Sequence, residues 1–295
     1  SKPRHAMYAT MFTVVLNTIL DPLFIWTFGL GIRGAAYATV LSQLVALIWQ
    51  FWIFSNPKEL IRLKRGIYSL RGDLVKNIIG IGISPFSMNV CACMVVIFIN
   101  NQLVRFGGDM SVGAFGIANR IVFIFVMFVM GINQGMQPIA GYNYGAQKLD
   151  RMMQVVKLSI IAATAIMILG WFLAMLAPRQ CVILFTTDQH LIDTTVHGMQ
   201  RMMLMLPIVG YQMVITNFFQ CIGKVKISIF LSLSRQLLFL LPALALLPIW
   251  FGLDGVWLAQ PVSDLIASVV TAWIMIVYMH KFKLQHKENQ YGRQE

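Results

Sequence analysis

Long apolar runs separated by short polar gaps dominate the chain. No Asp, Glu, Lys or Arg occurs at residues 77–104, 121–147 or 158–177. A helix that crosses a bilayer needs about 20 predominantly apolar residues. These runs therefore predict membrane-spanning α-helices, and they are too long and too uniform for the short alternating strands of a transmembrane barrel.

The pattern predicts eight spanning helices, and hence an all-α integral membrane protein. Their approximate ranges are 7–28, 34–54, 77–104, 112–141, 157–177, 198–221, 228–248 and 255–279. The first run follows a short basic stretch, but it contains Asn17 and Asp21 and lacks a small-residue cleavage site. We therefore interpret it as a spanning helix and not as a signal peptide.

Composition excludes a soluble protein. Of the 295 residues, 58% are hydrophobic and 12% are charged, whereas soluble domains have about 25% charged residues. The mean hydropathy is +0.72. The 4 cysteines are too few and too scattered for a disulfide framework.

The net charge of +12 predicts how the chain is oriented in the membrane. Seventeen Lys and Arg residues lie in alternate gaps and at both ends, and only Arg33, Arg105 and Arg179 lie in the opposite gaps. Positively charged loops stay in the cytoplasm, so we expect both termini to be cytoplasmic. Basic residues in such short gaps would contact anionic lipid, and they give no reason to expect nucleic acid as a partner.

A weak internal repeat relates two helices. Gly31–Phe54 aligns without a gap on Gly252–Met275 at an offset of 221, with eight identities in 24 positions. Repeats that run in the same direction imply a pseudo-twofold axis along the membrane normal. The second copy would begin near residue 75, which places the start of the first copy about 146 residues before the chain. We therefore expect helices five to twelve of a twelve-helix protein; a native eight-helix protein with a chance match is the alternative.

This repeat predicts four regions. They are the last two helices of an N-terminal lobe (1–54), a basic cytoplasmic linker (55–76), a six-helix C-terminal lobe (77–280) and a cytoplasmic tail (281–295). With four helices outside the chain, we expect no transport by these 295 residues alone.

Two motifs carry a family resemblance. Residues 17–24 (NTILDPLF) and 31–39 (GIRGAAYAT) resemble the fifth and sixth helices of MATE (multidrug and toxic compound extrusion) transporters. Residues 131–146 (GINQGMQPIAGYNYGA) resemble the eighth-helix motif of that family. The resemblance implies two six-helix lobes around a cleft that opens alternately to each side. It implies export of amphipathic, often cationic, small molecules against Na⁺ or H⁺ entry, with no other cofactor, by a monomer in the plasma membrane (in bacteria, the inner membrane).

Asp21 is the first candidate for ion coupling. A carboxylate inside a span is costly and usually functional. Asn17, four residues earlier, shares its helical face, and Thr39 lies beside both if the helices pair across the turn at 29–33. Carboxylate, amide and hydroxyl oxygens suit a hard cation such as Na⁺, whereas a buried carboxylate alone can carry a proton. The alternative is that Asp21 caps a kink at Pro22 and stays hydrated.

The resemblance supports this assignment. In archaeal-type MATE proteins, a first-lobe cation site is formed by residues that resemble Asn17, Asp21 and Thr39, with a further Asp from the first helix. Other subfamilies place acids in the seventh and tenth helices. Spans 77–104 and 198–221 contain no Asp or Glu here, which favours coupling through Asp21.

Asp264 and Arg120 are further intramembrane charges. Asp264 either pairs with a cation such as Arg235 or lines the cavity of the second lobe. For Arg120 we expect a carboxylate, carbonyl or water partner, and a structural role before a substrate contact.

Several amides form two polar sets within spans. Gln134 and Gln137 share a helical face beside Asn133, and Gln212 and Asn217 belong to the second set. Amides inside a bundle either hold helices together or line a watery cleft, and the sequence does not separate these roles.

Three other functions are weighed against efflux. A lipid-linked oligosaccharide flippase of the same superfamily would need a basic cleft for pyrophosphate, yet only Arg120, Arg201 and Arg235 lie within spans. An ion channel would need a continuous polar stripe on a helix, which no span shows. An enzyme is disfavoured because the sequence has no HExxH or GxSxG motif and no intramembrane His near a carboxylate.

Overall fold

The computed structural model describes residues 3–55 and 72–291, and every regular element in these ranges is helical. The chain forms two compact units, Ser1–Ile78 and Ile79–Glu295. Most of the predicted basic linker lies outside the described residues, as do Lys2 and Arg293.

The first unit is a pair of helices joined by a tight connection. Helix α1 (Pro3–Pro22) continues into a π-helical segment (Leu23–Thr27), and α2 (Gly31–Phe54) packs back along α1. Pro22 cannot donate a backbone hydrogen bond, and the wider π turn begins directly after it. The rings of Phe12 and Trp49 meet edge to face, with centroids 5.3 Å apart. This pairing places the middle of α1 beside the second half of α2.

The second unit contains the remaining helices. They are α3 (Gly72–Gly145, which begins in the first unit), α4 (Leu149–Leu176), α5 (Pro178–Ile183), α6 (Gln189–Met202), α7 (Leu206–Cys221), α8 (Val225–Leu233), a second π-helical segment (Ser234–Leu240), α9 (Leu241–Phe251) and α10 (Leu253–Tyr291). Helix α4 packs on α7, where an added Cβ on Gly210 would lie 2.9 Å from the Ala163 carbonyl oxygen. Helix α10 packs on α6, α7, α9 and the second π segment, and apolar side chains from most of these helices form one core.

Helix α3 is broken near its middle. Its 74 residues would extend about 110 Å at 1.5 Å per residue, several times the roughly 30 Å thickness of the bilayer core. At Gly108 the backbone leaves the helical region, with φ 71° and ψ −178°, which glycine adopts readily because it has no Cβ. This break lies between the predicted spans 77–104 and 112–141.

The prediction of one continuous helix over 198–221 is wrong. Met203, Leu204 and Met205 form a turn between α6 and α7, and the two helix axes differ by 56°. Pro207 lies in the first turn of α7, a position where its missing N–H is not needed. Helix α6 begins well before the predicted span, capped by Asp188, whose carboxylate accepts a hydrogen bond from the His190 amide at 2.9 Å.

Within the described ranges, six helical stretches are long and apolar enough to cross a membrane, and a seventh is added if α6 and α7 count as one bent span. The longest stretch, Asn89–Gly145, contains the Gly108 break. The all-helical, multi-span architecture therefore agrees with the prediction from sequence.

Candidate functional sites

The first candidate site lies on the pair α1–α2. Asn17 is half-buried and its side-chain amide bridges the two helices. Its Nδ2 atom is 3.4 Å from Asp21 Oδ1 and 3.4 Å from Thr39 Oγ1. Thr39 Oγ1 in turn donates to the Ala35 carbonyl at 2.9 Å. The three residues that the sequence grouped together are thus neighbours.

Asp21 has little internal compensation for its charge. Its only hydrogen-bond partner among the described residues is Asn17, and no cation there lies within ion-pair distance. No backbone N–H of the following π turn is bonded to the carboxylate, so the described geometry gives no support to the capping alternative. Both contacts of Asn17 are long for hydrogen bonds, since N–H···O distances are typically 2.7–3.2 Å.

The chemistry of this group suits a small cation or a proton. Amide nitrogen and oxygen are assigned from the hydrogen-bond network, and turning the Asn17 amide over would direct its oxygen toward Asp21 and Thr39. A carboxylate, a carbonyl and a hydroxyl oxygen would then be neighbours, and oxygen ligands of this kind are the ones that hard cations prefer. In the described residues no group of three or more His, Cys, Asp or Glu could hold a metal.

The second candidate site lies entirely in the second unit. Arg235 Nε donates to Asp264 Oδ1 at 2.7 Å, which joins the second π segment to α10. Ser263 Oγ donates to the Arg235 carbonyl at 2.8 Å. The pairing of Asp264 with Arg235 is one of the two arrangements that the sequence left open. Both residues also line a cavity of this unit.

That cavity has a volume of about 280 Å³. Apolar side chains from α3, α6, α7 and the second π segment form most of its wall, including Ile99, Phe115 and Leu206. Its polar lining residues are Asn119, Arg235, Gln236, Gln260 and Asp264. A mostly apolar cavity with a few polar groups is the usual form of a small-molecule site.

The other predicted polar residues separate into a bonded pair and isolated groups. Gln137 Nε2 donates to Asn217 Oδ1 at 3.0 Å and ties α3 to α7. Gln134 is exposed, although it shares a face with Gln137. Gln212 is 3% exposed, and its Oε1 atom has no hydrogen-bond partner in the described chain.

Arg120 is exposed and has no hydrogen-bond or ion-pair partner among the described residues. The expected carboxylate or carbonyl contact is therefore not seen there, and its structural role stays a prediction. Arg201, in contrast, donates to Asp254 at 2.6 Å, and this bond joins α6 to the start of α10. Arg201 also contacts His197 on its own helix.

Sequence reasoning missed Gln236 and Gln260 as lining residues of the cavity. Gln260 is four residues before Asp264 and hence on the same face of α10, so its position held a usable signal. Gln236 held no such signal, because its orientation follows from the π-helical register of its segment.

Comparisons with known proteins identify the family. The model of the MatE family matches residues 83–244, more than half of the chain. The multidrug export protein MepA of Staphylococcus aureus (strain bovine RF122 / ET3-1) is 25% identical over 282 residues, covering 96% of this chain and 61% of MepA. MepA of Staphylococcus haemolyticus (strain JCSC1435) is 26% identical over 283 residues, with the same coverage. The chain thus spans about three fifths of the length of these relatives.

Solved structures share the fold. A crystal structure of MATE in the straight conformation superposes with a TM-score of 0.84 at 24% identity, covering 95% of this chain and 63% of that one. A MOP superfamily transporter from Pyrococcus furiosus gives 0.83 at 24% identity, covering 94% and 63%. The outward-facing conformation of a multidrug resistance MATE transporter gives 0.82 at 25% identity, with the same coverage. With the family match and the helical, multi-span fold, the chain belongs to the MATE family of membrane transporters and not to an enzyme family.

Proposed function

We propose that the protein is a secondary active exporter of amphipathic small molecules, driven by Na⁺ or H⁺ entry through alternating access. Family membership supports transport as the activity, and the curated relatives are named multidrug export proteins. The coupling ion is the only accessory species that the mechanism needs. The proposed transporter is a monomer in the plasma membrane, in contact with lipid.

The observation that carries the coupling role is the Asp21 group. A carboxylate in an apolar helix, without a cationic partner in the described residues, is the feature that an exchangeable cation can neutralise. We assign Asp21 as the residue that binds Na⁺ or H⁺, with Asn17 and Thr39 as further oxygen ligands for Na⁺. Binding drives transport only if the two orientations of the cleft bind the ion with different affinity.

The proposed topology has eight crossings. The Gly108 break divides α3 into two spans, and α6 with α7 forms one bent span. Residues 1–54 then belong to one lobe and residues 77–280 to a second lobe of six helices. Residues 55–76 and 281–295 are a linker and a tail on the cytoplasmic side, and both ends of the chain face the cytoplasm.

A lipid-linked oligosaccharide flippase fits the charges less well. Pyrophosphate needs several available cationic side chains. Of the three arginines inside the predicted spans, Arg235 is the one that lines the cavity of the second unit among the described residues, and part of its charge is neutralised by Asp264. An ion channel is also disfavoured, because the cavity of the second unit is mostly apolar.

The test is gradient-driven transport by the complete protein in proteoliposomes. Ethidium movement is measured under an imposed Na⁺ gradient and, separately, an imposed H⁺ gradient. We expect one gradient to drive ethidium transport in the wild type and Asp21→Asn to reduce that rate at least tenfold, because a neutral amide cannot exchange a charge. Asp21→Glu keeps the carboxylate and is the matched control, for which we expect partial activity.

Gradient-driven ethidium transport by Asp21→Asn at the wild-type rate would refute the coupling role. Absence of ethidium transport in the wild type, with transfer of a lipid-linked oligosaccharide across the same vesicles, would instead support the flippase.

A further inference from the structure

We propose that the cavity of the second unit binds an amphipathic small molecule that carries a carboxylate, with Arg235 as the residue that selects this head group. The site is distinct from the Asp21 group, and it depends on the proposed function only for the statement that its occupant is a transported molecule. Binding itself can be tested separately from transport.

The first observation is how the ion pair presents its charges. Asp264 is almost fully enclosed, with 5% of its side chain exposed, whereas 26% of the Arg235 side chain is exposed. Both residues line the cavity. A ligand that enters therefore meets the guanidinium more readily than the carboxylate, although the pair is neutral as a whole.

The second observation is the unused hydrogen-bonding capacity of Arg235. Its Nε–H is bonded to Asp264, and the Nη atoms have no hydrogen-bond acceptor among the described residues. A guanidinium has five N–H donors and no acceptor. The fork formed by its Nη atoms matches the two oxygens of a carboxylate, so the free donors favour an acceptor head group over an ammonium group.

The third observation is the position of Arg235 in the fold. It is the second residue of the π-helical segment Ser234–Leu240, and the Ser263 hydroxyl bonds its carbonyl oxygen. Single π turns within helices occur frequently at functional sites. Here Gln236, the next residue, also lines the cavity, and its Oε1 atom is buried without a partner in the described chain. That oxygen can accept a hydrogen bond from a hydroxyl or amide of the ligand.

The rest of the wall determines the body of the ligand. Ile99, Phe115, Val126 and Leu206 contribute apolar surface, and Arg235 is the one cationic lining residue in the part of the chain that the structure describes. A volume near 280 Å³ is just below the usual range of roughly 300–1,000 Å³ for ligand pockets, so the ligand must be small. A ligand made of one fused aromatic ring system and a short acidic side chain has a size that fits this cavity.

The test uses three probes that share a ring and differ in charge. Radiolabelled 1-naphthaleneacetate, its primary amide and 2-(1-naphthyl)ethylamine are bound at equilibrium to the protein in lipid nanodiscs, with empty nanodiscs subtracted. We expect the acid to bind most tightly and Arg235→Gln to weaken acid binding about tenfold, the loss of one charged hydrogen bond, while the amide is little affected. Arg151→Gln, which alters an exposed arginine away from the cavity, is the matched control and leaves all three affinities unchanged.

The partner variant gives the opposite sign. Asp264→Asn removes the neutralising carboxylate and leaves Arg235 in place, so acid binding strengthens severalfold. A merely structural role of the pair would weaken binding in both variants. Equal weakening by Arg235→Gln and Asp264→Asn would therefore overturn the proposal, and so would wild-type affinity for the amine equal to that for the acid.

A further variant covers the case in which Arg235→Gln does not fold. Gln236→Glu keeps the Arg235–Asp264 pair and adds a carboxylate to the cavity lining, and we expect it to weaken acid binding and strengthen amine binding. Unchanged preferences in this variant would also overturn the proposal. Ethidium transport without any binding of the acid would refute only this site and leave the proposed function intact. Binding of the acid by a protein that does not transport ethidium would refute the proposed function and leave this site intact.

Discussion

The helix pair α1–α2 and the helices α8–α10 share one backbone design. In each, the last helix begins at or directly after a glycine at positive φ, Gly31 at 54° and Gly252 at 57°. Three residues later, Gly34 and Gly255 approach the backbone of the preceding helix so closely that a Cβ would lie 2.6 Å and 2.3 Å from a carbonyl oxygen. The weak repeat in the sequence thus corresponds to a repeated way of turning and packing two helices.

The same correspondence continues along the second helix of each pair. Ala38 and Ala259 are fully buried, and Ser42 and Ser263 are 1% and 0% exposed. The paired tryptophans at positions 52 and 273 are both largely exposed. Each helix therefore turns the same face toward its neighbours, and half of the eight identities in the repeat are small residues that are buried in both copies.

The polar chemistry is where the two regions differ. Asp21 is on the first helix of its pair, and within the described ranges its one hydrogen-bond partner is the Asn17 amide, which also contacts the Thr39 hydroxyl. Asp264 is on the second helix of its pair and is bonded to Arg235. One region thus contains its own cation, and the other leaves a carboxylate that an exchangeable cation can neutralise. A shared scaffold does not imply a shared ion-binding role.

The largest expected effect comes from breaking the internal pair. Arg235→Gln leaves Asp264 buried without its cation, and breaking a buried pair from one side costs about 3–5 kcal/mol. We expect the lower end of this range for the free energy of unfolding, because the remaining carboxylate can take up a proton. Unfolding by sodium dodecyl sulfate in mixed micelles, followed by circular dichroism, measures the loss.

The double variant Arg235→Gln with Asp264→Asn sharpens this test. It removes both charges, so we expect it to recover most of the lost stability, since a neutral pair of amides carries no charge desolvation penalty. A double variant as unstable as Arg235→Gln alone would show that the arginine stabilises the unit through packing and not through its charge.

The two regions differ in how much of their structure could be predicted from the sequence. The helices were predictable from hydropathy, and the family from its motifs. Helical spacing grouped Asn17 with Asp21, and the expected pairing of two helices across a short turn added Thr39. Arg235 was named as a partner of Asp264 because few charges lie inside predicted spans. The turn at Met203–Met205 was not predicted, since these residues are apolar and Pro207 fits several helical interpretations. The π segments depend on packing between helices, which local pattern does not contain.

The next effect concerns the repeated glycines. Gly255→Ala forces a Cβ against the Leu247 carbonyl, and Gly34→Ala forces one against Phe24. Overpacking costs about 1–3 kcal/mol, and we expect the larger loss for Gly255→Ala because its contact is closer. Gly131→Ala is the control: it is helical with open space around the added Cβ, so it should be neutral or slightly stabilising. Equal effects at Gly255 and Gly131 would contradict the shared packing design.

The smallest expected effect on stability is the one that distinguishes the two carboxylates most clearly. Asp21 is half-buried, and its single described hydrogen bond to Asn17 measures 3.4 Å. Asp21→Asn should therefore change the free energy of unfolding by no more than about 0.5 kcal/mol, the usual range for sites without a strong internal partner. The same detergent titration, repeated with and without Na⁺, measures this change in the free energy of unfolding.

An ion that binds only the folded protein stabilises it in proportion to the logarithm of ion concentration. The wild type should therefore gain stability with Na⁺ if Na⁺ is the coupling ion, and Asp21→Asn should not. Arg235→Gln provides the contrast, because it should lose stability yet keep any response to Na⁺. A large loss of stability in Asp21→Asn without Na⁺ would mean that this carboxylate is as firmly integrated as Asp264, and the distinction between the two regions would fail.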